Sequence, residues 1–377
     1  MKILHIAPAY KPAYIYGGPT ESVARLCEAL AATGHTVDVY TTSANGKTEL
    51  DVPYNKFMDV DGVNVIYFKR LTGDPTNVTP GLWKALLKNA KSYDVIHIHA
   101  WWNILNPVAA QICFTKGRKV ILAPRGMLST YIFKSGASMA KRLTYKMFGK
   151  AILTKCYLHA TSDAELKECR KLIPGWKGFM LPNVIALPEL PVKHQVNDVF
   201  TLIFLSRIHP KKGLDILFTA ISKLSFDVKL QIAGSGENGY IDEMKALAAQ
   251  LKVTDKIEWL GWMDREEKFL RLMQADLFVL TSLNENFANV VIESLHVGTA
   301  VLVSQDVGLA DFVKNKEMGW VSTLEVNDVA DKLTQAYADK VKLSNIRQNG
   351  RSVIQQNFSE KVLSEEYISE YKKIITQ

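Results

Sequence analysis

The sequence predicts an α/β protein made of two doubly wound units, and three observations predict it. Short apolar runs alternate with helix-length segments from one end of the chain to the other, the pattern of βαβ units whose parallel strands are covered on both faces. The alternation breaks once, over 181–195, where Pro182, Pro188 and Pro191 fall within ten residues without any period, and then it restarts. The 377 residues leave room for two cores at roughly 150 residues per domain.

In the first half the strand candidates are 3–7, 36–41, 63–68, 95–99, 120–123, 157–160 and 178–181, with helices over 19–32 and 79–91 among the segments between them. In the second half they are 201–205, 229–233, 257–260, 277–280, 300–303 and 320–322, separated by helical patterns that include 241–251, 265–275 and 290–297. Each run is short and rich in Val, Ile, Leu and Phe, as a strand buried on both faces must be. The expected division is a first domain over 1–183, a linker over 184–199, a second domain over 200–355, and a helical tail over 356–377 expected to pack back on the first domain. In such sheets ligands sit beyond the carboxyl ends of the strands, and two facing units make a cleft between them.

Composition excludes several classes. With 47% hydrophobic and 22% charged residues, the chain is neither disordered nor fibrous. No apolar run approaches the ~18 residues that span a bilayer, and the apolar start of 1–8 suits a strand better than a leader. Cys27, Cys113, Cys156 and Cys169 form no CxxC pair, so neither a zinc cage nor a disulfide framework is indicated. The expectation is a cytoplasmic protein.

Charge divides unevenly. Residues 1–183 carry 24 Lys and Arg against 12 Asp and Glu, whereas 184–377 carry 22 against 26. Between Asp94 and Asp163 there is no acid at all, but ten bases: Lys116, Arg118, Lys119, Arg125, Lys134, Lys141, Arg142, Lys146, Lys150 and Lys155. Such a one-signed stretch attracts polyanions or an anionic membrane surface, or else solubilises ordinary helices. Met139, Leu143, Tyr145, Met147, Phe148, Ile152 and Leu153 interleave with it, the make-up of a basic amphipathic helix. No nucleic-acid motif accompanies the bases, so nucleic acid is not the expected partner.

Three polar clusters follow strands of the second half. Ser206-Arg207-Ile208-His209-Pro210-Lys211-Lys212-Gly213 places two cations near a helix start, where a diphosphate can be clamped. Gly234-Ser235-Gly236 permits close backbone approach, to a ligand or within a plain tight turn. The third, Thr281 to Glu293, carries two acids. On continuous helix, eight positions would set Glu285 and Glu293 about 80° apart and about 12 Å along the axis; with Glu285 in the loop, both can face one site. The amides near Asn289 and Val290 then remain for phosphate oxygens.

The spacing Glu285-x7-Glu293, preceded by Ser206-Arg207-x4-Lys212-Gly213, resembles the retaining glycosyltransferases of family four, which have the two-Rossmann GT-B fold. The likeness runs the length of the chain and takes in Gly17-Gly18-Pro19 after the first strand and Leu181-Pro182-Asn183 at the hinge. It implies that Arg207 and Lys212 hold the donor pyrophosphate, Glu293 the ribose and Glu285 the transferred sugar. Gly17, Gly18, Gly234, Gly236, Asn286, Phe287, Ala288, Asn289 and Val290 complete the implied donor site. Ala288 and Asn286 depart from the family, which often has glycine there; the Ala288 methyl is expected to tighten the sugar pocket.

In the first half, period two sends His97 and His99 to one face, so the pattern does not separate them. The resemblance favours His99, at a strand end, as the contact to the donor sugar near the reacting carbon. Trp101 and Trp102 are candidates for stacking on sugar rings or for core packing, and Arg125 for a phosphate of donor or acceptor. Asp59-Val60-Asp61 has the form of a metal-binding DxD but reads as a turn. The implied function is transfer of a hexosyl unit from a UDP- or GDP-linked sugar to a saccharide or lipid-linked saccharide, in surface polysaccharide synthesis of bacterial type. No cofactor or metal is expected, and peripheral contact with an anionic membrane at its inner face is. The alternatives are a sugar-nucleotide epimerase and a non-catalytic sugar-nucleotide binding protein. A nicotinamide-dependent enzyme is disfavoured, since no GxGxxG follows the first strand.

Overall fold

A computed structural model describes residues 1–129, 143, 145–189 and 197–377. The chain divides into two units: Met1–Ala186 with Phe358–Gln377, and Leu187–Asn357.

Unit 1 contains β1 (Lys2–Ala7), β2 (Thr36–Thr42), β3 (Ala44–Asn45), β4 (Thr48–Glu49), β5 (Phe57–Val60), β6 (Val63–Phe68), β7 (Val95–His99), β8 (Val120–Ala123), β9 (Tyr157–Ala160) and β10 (Gly178–Met180). Eight of these form one sheet in the order β10-β9-β8-β7-β1-β2-β6-β5, parallel except for β5. The strand order reverses between β1 and β7. Alternate residues serve opposite faces. Leu4, Ile6, Ile96, Ile98, Leu122 and Leu158 pack with residues of α2 (Pro80–Asn89), α3 (Leu105–Thr115) and α4 (Asp163–Leu172). Ile3, Val37, Val39, Val95 and Ile121 pack with α1 (Gly18–Ala32) on the other face.

The seven anticipated strands of this unit all form. Two features were not anticipated, the edge strand β5 and the β3–β4 hairpin, because their residues are largely exposed and lack an apolar run. β5 also corrects the reading of Asp59-Val60-Asp61 as a turn. Asp59 and Val60 pair with β6, and only Asp61 and Gly62 turn, with φ of 55° and 80°. Asp61 forms an ion pair with Lys11 at 2.8 Å.

Unit 2 contains β11 (Phe200–Leu205), β12 (Val228–Ala233), β13 (Ile257–Gly261), β14 (Leu277–Leu280), β15 (Ala300–Ser304) and β16 (Gly319–Ser322). Their order, β13-β12-β11-β14-β15-β16, is all parallel. Numbered from the first strand of the unit this is 3-2-1-4-5-6, the dinucleotide-fold order, which reverses between β11 and β14. Among the connecting helices are α5 (Leu214–Ile221), α6 (Asn238–Gln250), α7 (Arg265–Gln274), α8 (Asn289–His296), α9 (Ala310–Asn315) and α10 (Val326–Ala338). A long helix, α11 (Lys340–Phe358), closes the unit, and α12 (Glu360–Thr376) belongs to unit 1.

Helix α12 is capped by Ser359, whose Oγ accepts from the Val362 amide at 3.3 Å. Its Leu363, Tyr367, Tyr371 and Ile374 join the α1 face of the unit 1 core, with both tyrosines fully buried. No helix among the described residues is long and apolar enough to cross a membrane.

Candidate active site

In unit 2 the strand order reverses between β11 and β14, and two of the three polar clusters are the loops leaving the carboxyl ends of those two strands. The loops are stitched together. The Leu283 amide donates to the Lys211 carbonyl at 2.8 Å, the Ser282 hydroxyl donates to the same oxygen at 3.0 Å, and the Thr281 hydroxyl donates to the Gly213 carbonyl at 2.8 Å. Glu285 is further fixed by the loop after β15: its amide donates to Asp306 at 3.0 Å, and its carbonyl accepts from Gly308 at 2.7 Å.

This frame brings together residues far apart in sequence. The Lys212 ammonium donates to Glu285 Oε2, and both side chains are mostly buried. Arg207 stays exposed. The pyrophosphate pair of the sequence reading is therefore asymmetric, one exposed guanidinium and one ammonium already facing a carboxylate. Burial, and after it the nearby cations Arg207, Lys211 and Lys212, holds the His209 imidazole below its usual range. Glu293, one turn into α8, is buried, and its Oε1 accepts from Lys268 Nζ at 2.6 Å. Lys268, on α7, was not picked out from the sequence. It stands 25 residues before its partner, and nothing local marks it.

Gly234 and Gly236 serve the backbone of the neighbouring loop. A Cβ on Gly234 would lie 1.9 Å from the Ser206 carbonyl, and one on Gly236 2.2 Å from the Ile208 carbonyl. Ile208 also donates to the Ser235 carbonyl at 2.8 Å. The glycine turn thus braces the loop that carries Arg207. Ala288 is the N-cap of α8 with φ of +66°, the left-handed region where a Cβ costs energy and glycine does not. This gives the departure from glycine a backbone cost. Phe287 is buried in the core, so its side chain is packing rather than ligand surface, while Asn286, Asn289 and Val290 are half-buried around the helix start.

In unit 1, Gly17 has φ of +63° and caps α1, with Gly18 opening the helix. Only 2% of His99 is exposed. Its Nδ1 lies 3.3 Å from Arg125 Nη2 and its Nε2 2.9 Å from His5 Nδ1. Both ring nitrogens thus face polar neighbours within unit 1. His97 Nε2 lies 3.2 Å from His159 Nδ1, and its Nδ1 lies 2.8 Å from the Tyr371 hydroxyl. Ligand atoms of His5, His97 and His99 fall within 4.8 Å of one another, yet each ring is already bonded to a neighbour and a guanidinium stands beside them.

Burial, with Arg125 as the main charge, pushes the His5 and His159 imidazoles down to about 3. Burial and the neighbouring cationic and imidazole groups push His97 and His99 well below their usual range. Trp101 is buried in the core, which leaves packing as its role. Trp102 is half-buried and its indole donates to the Met127 carbonyl at 2.5 Å.

The basic stretch falls partly on 130–142 and 144, outside the described residues. Of its described members, Arg118 donates to the Tyr93 carbonyl and Lys119 to the Ile374 carbonyl at 2.9 Å, near the end of α12. Lys146, Lys150 and Lys155 are exposed, as are Leu143 and Phe148.

Two Rossmann-like units, with a basic and a two-acid loop at the switch point of the second, define a GT-B glycosyltransferase. Residues 17–183 match the profile of the glycosyl transferase 4-like domain, residues 188–353 match that of the glycosyl transferases group 1, and the chain belongs to this family. It is 25% identical to an uncharacterised glycosyltransferase of Methanocaldococcus jannaschii over 99% of this chain and 98% of that one. It is 27% identical to the lipopolysaccharide core biosynthesis glycosyltransferase LpsE of Rhizobium meliloti, over 45% of this chain and 49% of the relative. Its fold is similar to that of sucrose-phosphate synthase from Thermosynechococcus elongatus, with a TM-score of 0.78 and 20% identity over the whole of both chains. It is also similar to Anabaena HepE in complex with UDP and glucose, with a TM-score of 0.74 and 18% identity over 99% of this chain and 100% of that one.

Proposed function

We propose that this glycosyltransferase moves a hexosyl unit, with retention at the anomeric carbon, from a UDP- or GDP-linked sugar to a saccharide or lipid-linked saccharide in surface polysaccharide synthesis. The observation that carries the reading is the meeting of Lys212 and Glu285, 73 residues apart, at the switch point where this fold binds nucleotides. Arg207 stands exposed on the same loop, and the eight-residue helix α8 starts beside it. The HepE complex and the lipopolysaccharide relative support the donor class and the pathway.

In this reading the leaving group is a nucleoside diphosphate. Arg207, Lys212 and the first-turn amides of α8 stabilise the charge that builds on it as the glycosidic bond breaks. Glu285, held by Lys212 and by the loop after β15, hydrogen-bonds the sugar, and Glu293 accepts from the ribose hydroxyls. These cations neutralise the diphosphate, so chelator treatment leaves turnover unchanged. The exposed Leu143 and Phe148 beside Lys146, Lys150 and Lys155 favour contact with an anionic membrane, tested by flotation with anionic liposomes at low salt.

The principal test is a donor screen by thermal shift. A true donor at a hundredfold excess over its Kd stabilises by about 2.7 kcal/mol. Arg207→Ala abolishes that shift, whereas Glu285→Gln retains most of it and loses turnover. Product formed without any acceptor would indicate an epimerase, and binding without transfer an inert receptor. Unaltered donor binding and transfer in the Arg207→Ala, Lys212→Met double variant would end the proposal.

A further inference from the structure

Arg125 follows β8 at its carboxyl end, with φ of +56°, and Ala100, after the adjacent β7, has φ of +71°. Two left-handed non-glycine residues on neighbouring strands mark a stretch of backbone held against its preference. The Arg125 guanidinium has three hydrogen-bonding neighbours: Asn183 Oδ1 and Ser22 Oγ accept from Nη1, the latter at 3.4 Å, and His99 Nδ1 faces Nη2 at 3.3 Å. Its Nε is buried without a hydrogen-bond partner, and it forms no ion pair among the described residues. Glu165, the carboxylate whose charge reaches it, is taken by the Gly126 amide at 2.6 Å and the Thr161 amide at 2.7 Å.

The protonation of the surrounding rings follows from donors that cannot accept. A guanidinium only donates, so His99 Nδ1 is an acceptor and the proton of that neutral ring sits on Nε2. Nε2–H then donates to His5 Nδ1, which places the His5 proton on Nε2, an atom that is buried and has no partner. The His159 Nε2 faces the Leu181 carbonyl at 3.0 Å, which only accepts, so His159 Nδ1 accepts from His97 Nε2–H, and the Tyr371 hydroxyl donates to His97 Nδ1. The Tyr367 hydroxyl accepts from His159 and donates to the Pro182 carbonyl at 2.9 Å. Every ring is neutral, and the cluster supplies Arg125 with an acceptor but with no countercharge.

We propose that Arg125 is the phosphate ligand of unit 1, and that neutral His99, backed by His5, is a positioning residue that aims its guanidinium together with Asn183 and Ser22. The arrangement leaves one Nη2–H unspent on a cation whose neighbours bring no countercharge, and a phosphoryl oxygen accepts from it, while the enclosed Nε–H stays unpartnered. The inference rests on the glycosyl-transfer reading for its substrate, a phosphate borne by the donor or by the acceptor.

The test uses the full chain carrying Arg207→Ala and Lys212→Met, so that phosphate binding in unit 2 is removed, with inorganic phosphate titrated and followed by phosphorus NMR. Arg125→Gln removes the remaining saturable binding. His99→Ala weakens it by about tenfold, the size expected for loss of one hydrogen bond to a charged group. His99→Asn, whose Oδ1 replaces Nδ1 as acceptor, stays within about threefold of the parent, since the bond is kept. The Arg125→Gln, His99→Ala double variant is no weaker than Arg125→Gln alone, because His99 acts through Arg125. On the otherwise natural chain, a KM rise in Arg125→Gln confined to the acceptor assigns the phosphate to the acceptor, and one confined to the donor assigns it to the donor. If no transfer is found with any sugar nucleotide, the glycosyl-transfer reading fails while the phosphate titration still judges this one. Phosphate binding unchanged in Arg125→Gln, or effects of Arg125→Gln and His99→Ala that multiply, overturns it; circular dichroism checks that each variant folds.

Discussion

Lowering the pH from 7 to 5 destabilises unit 1 through its buried histidines. In the folded chain His5 and His159 remain neutral until about pH 3, and His97 and His99 are likewise held well below the usual range. Unfolded, each takes up a proton near pH 6.5. Stability is therefore full above 6.5 and falls as the pH drops toward the folded values, because only the unfolded chain gains protons. For His5 and His159 each ring costs about 2 kcal/mol between pH 7 and 5, about 4 kcal/mol together, and His97 and His99 add to this in the same direction. The groups facing the cluster, Arg125, Tyr367, Tyr371 and Cys27, do not change charge over that interval. The carboxylates with lowered values, Glu49, Asp61 and Glu258, release their stabilisation only at more acid pH. Urea unfolding followed by tryptophan fluorescence at half-unit steps gives the dependence, and proton uptake on unfolding at pH 5.5 gives the count. His5→Asn reduces that uptake by about one proton. A urea midpoint that is flat or rises from pH 7 to 5 would refute the assignment of neutral rings.

Three further outcomes concern unit 2. Ala288→Gly removes the left-handed strain at the start of α8 and raises stability by about 1 kcal/mol in urea unfolding. Gly213→Ala, where a Cβ would lie 2.1 Å from the Thr281 carbonyl at φ of +67°, lowers stability by about 3 kcal/mol and weakens donor binding, because it parts the two stitched loops. Lys268→Met leaves the buried Glu293 carboxylate without its ammonium; unfolding shows a loss of about 3 kcal/mol, and donor KM changes with it.

The parallel strands were legible because burial on both faces demands continuous apolar runs; all thirteen anticipated strands form. β5 was not, because an exposed antiparallel edge needs no such run. The loops bearing Arg207 and Glu285 could be placed after strands, but the contact of Lys212 with Glu285 depends on which strands are neighbours, and strand order is not written locally. His97 and His99 could not be told apart from period two, and the structure shows why: both face the same packed layer. The residues that receive α12 on the first unit were equally hidden. Tyr367 and Tyr371 stand one turn apart, which marks an apolar stripe, but the histidines that receive their hydroxyls lie more than 200 residues earlier.

That helix has a consequence for how the protein is made. Residues 187–357 are an insertion within the sequence of unit 1, so a ribosome finishes one whole unit before it supplies the last piece of the other. Until then the side of the first sheet bearing His97 and His159 lacks its cover, with polar rings and apolar strands open to water. Such a half-built face is sticky, as partly folded surfaces are, and a nascent chain stalled near residue 357 should engage a chaperone more readily than the released protein does.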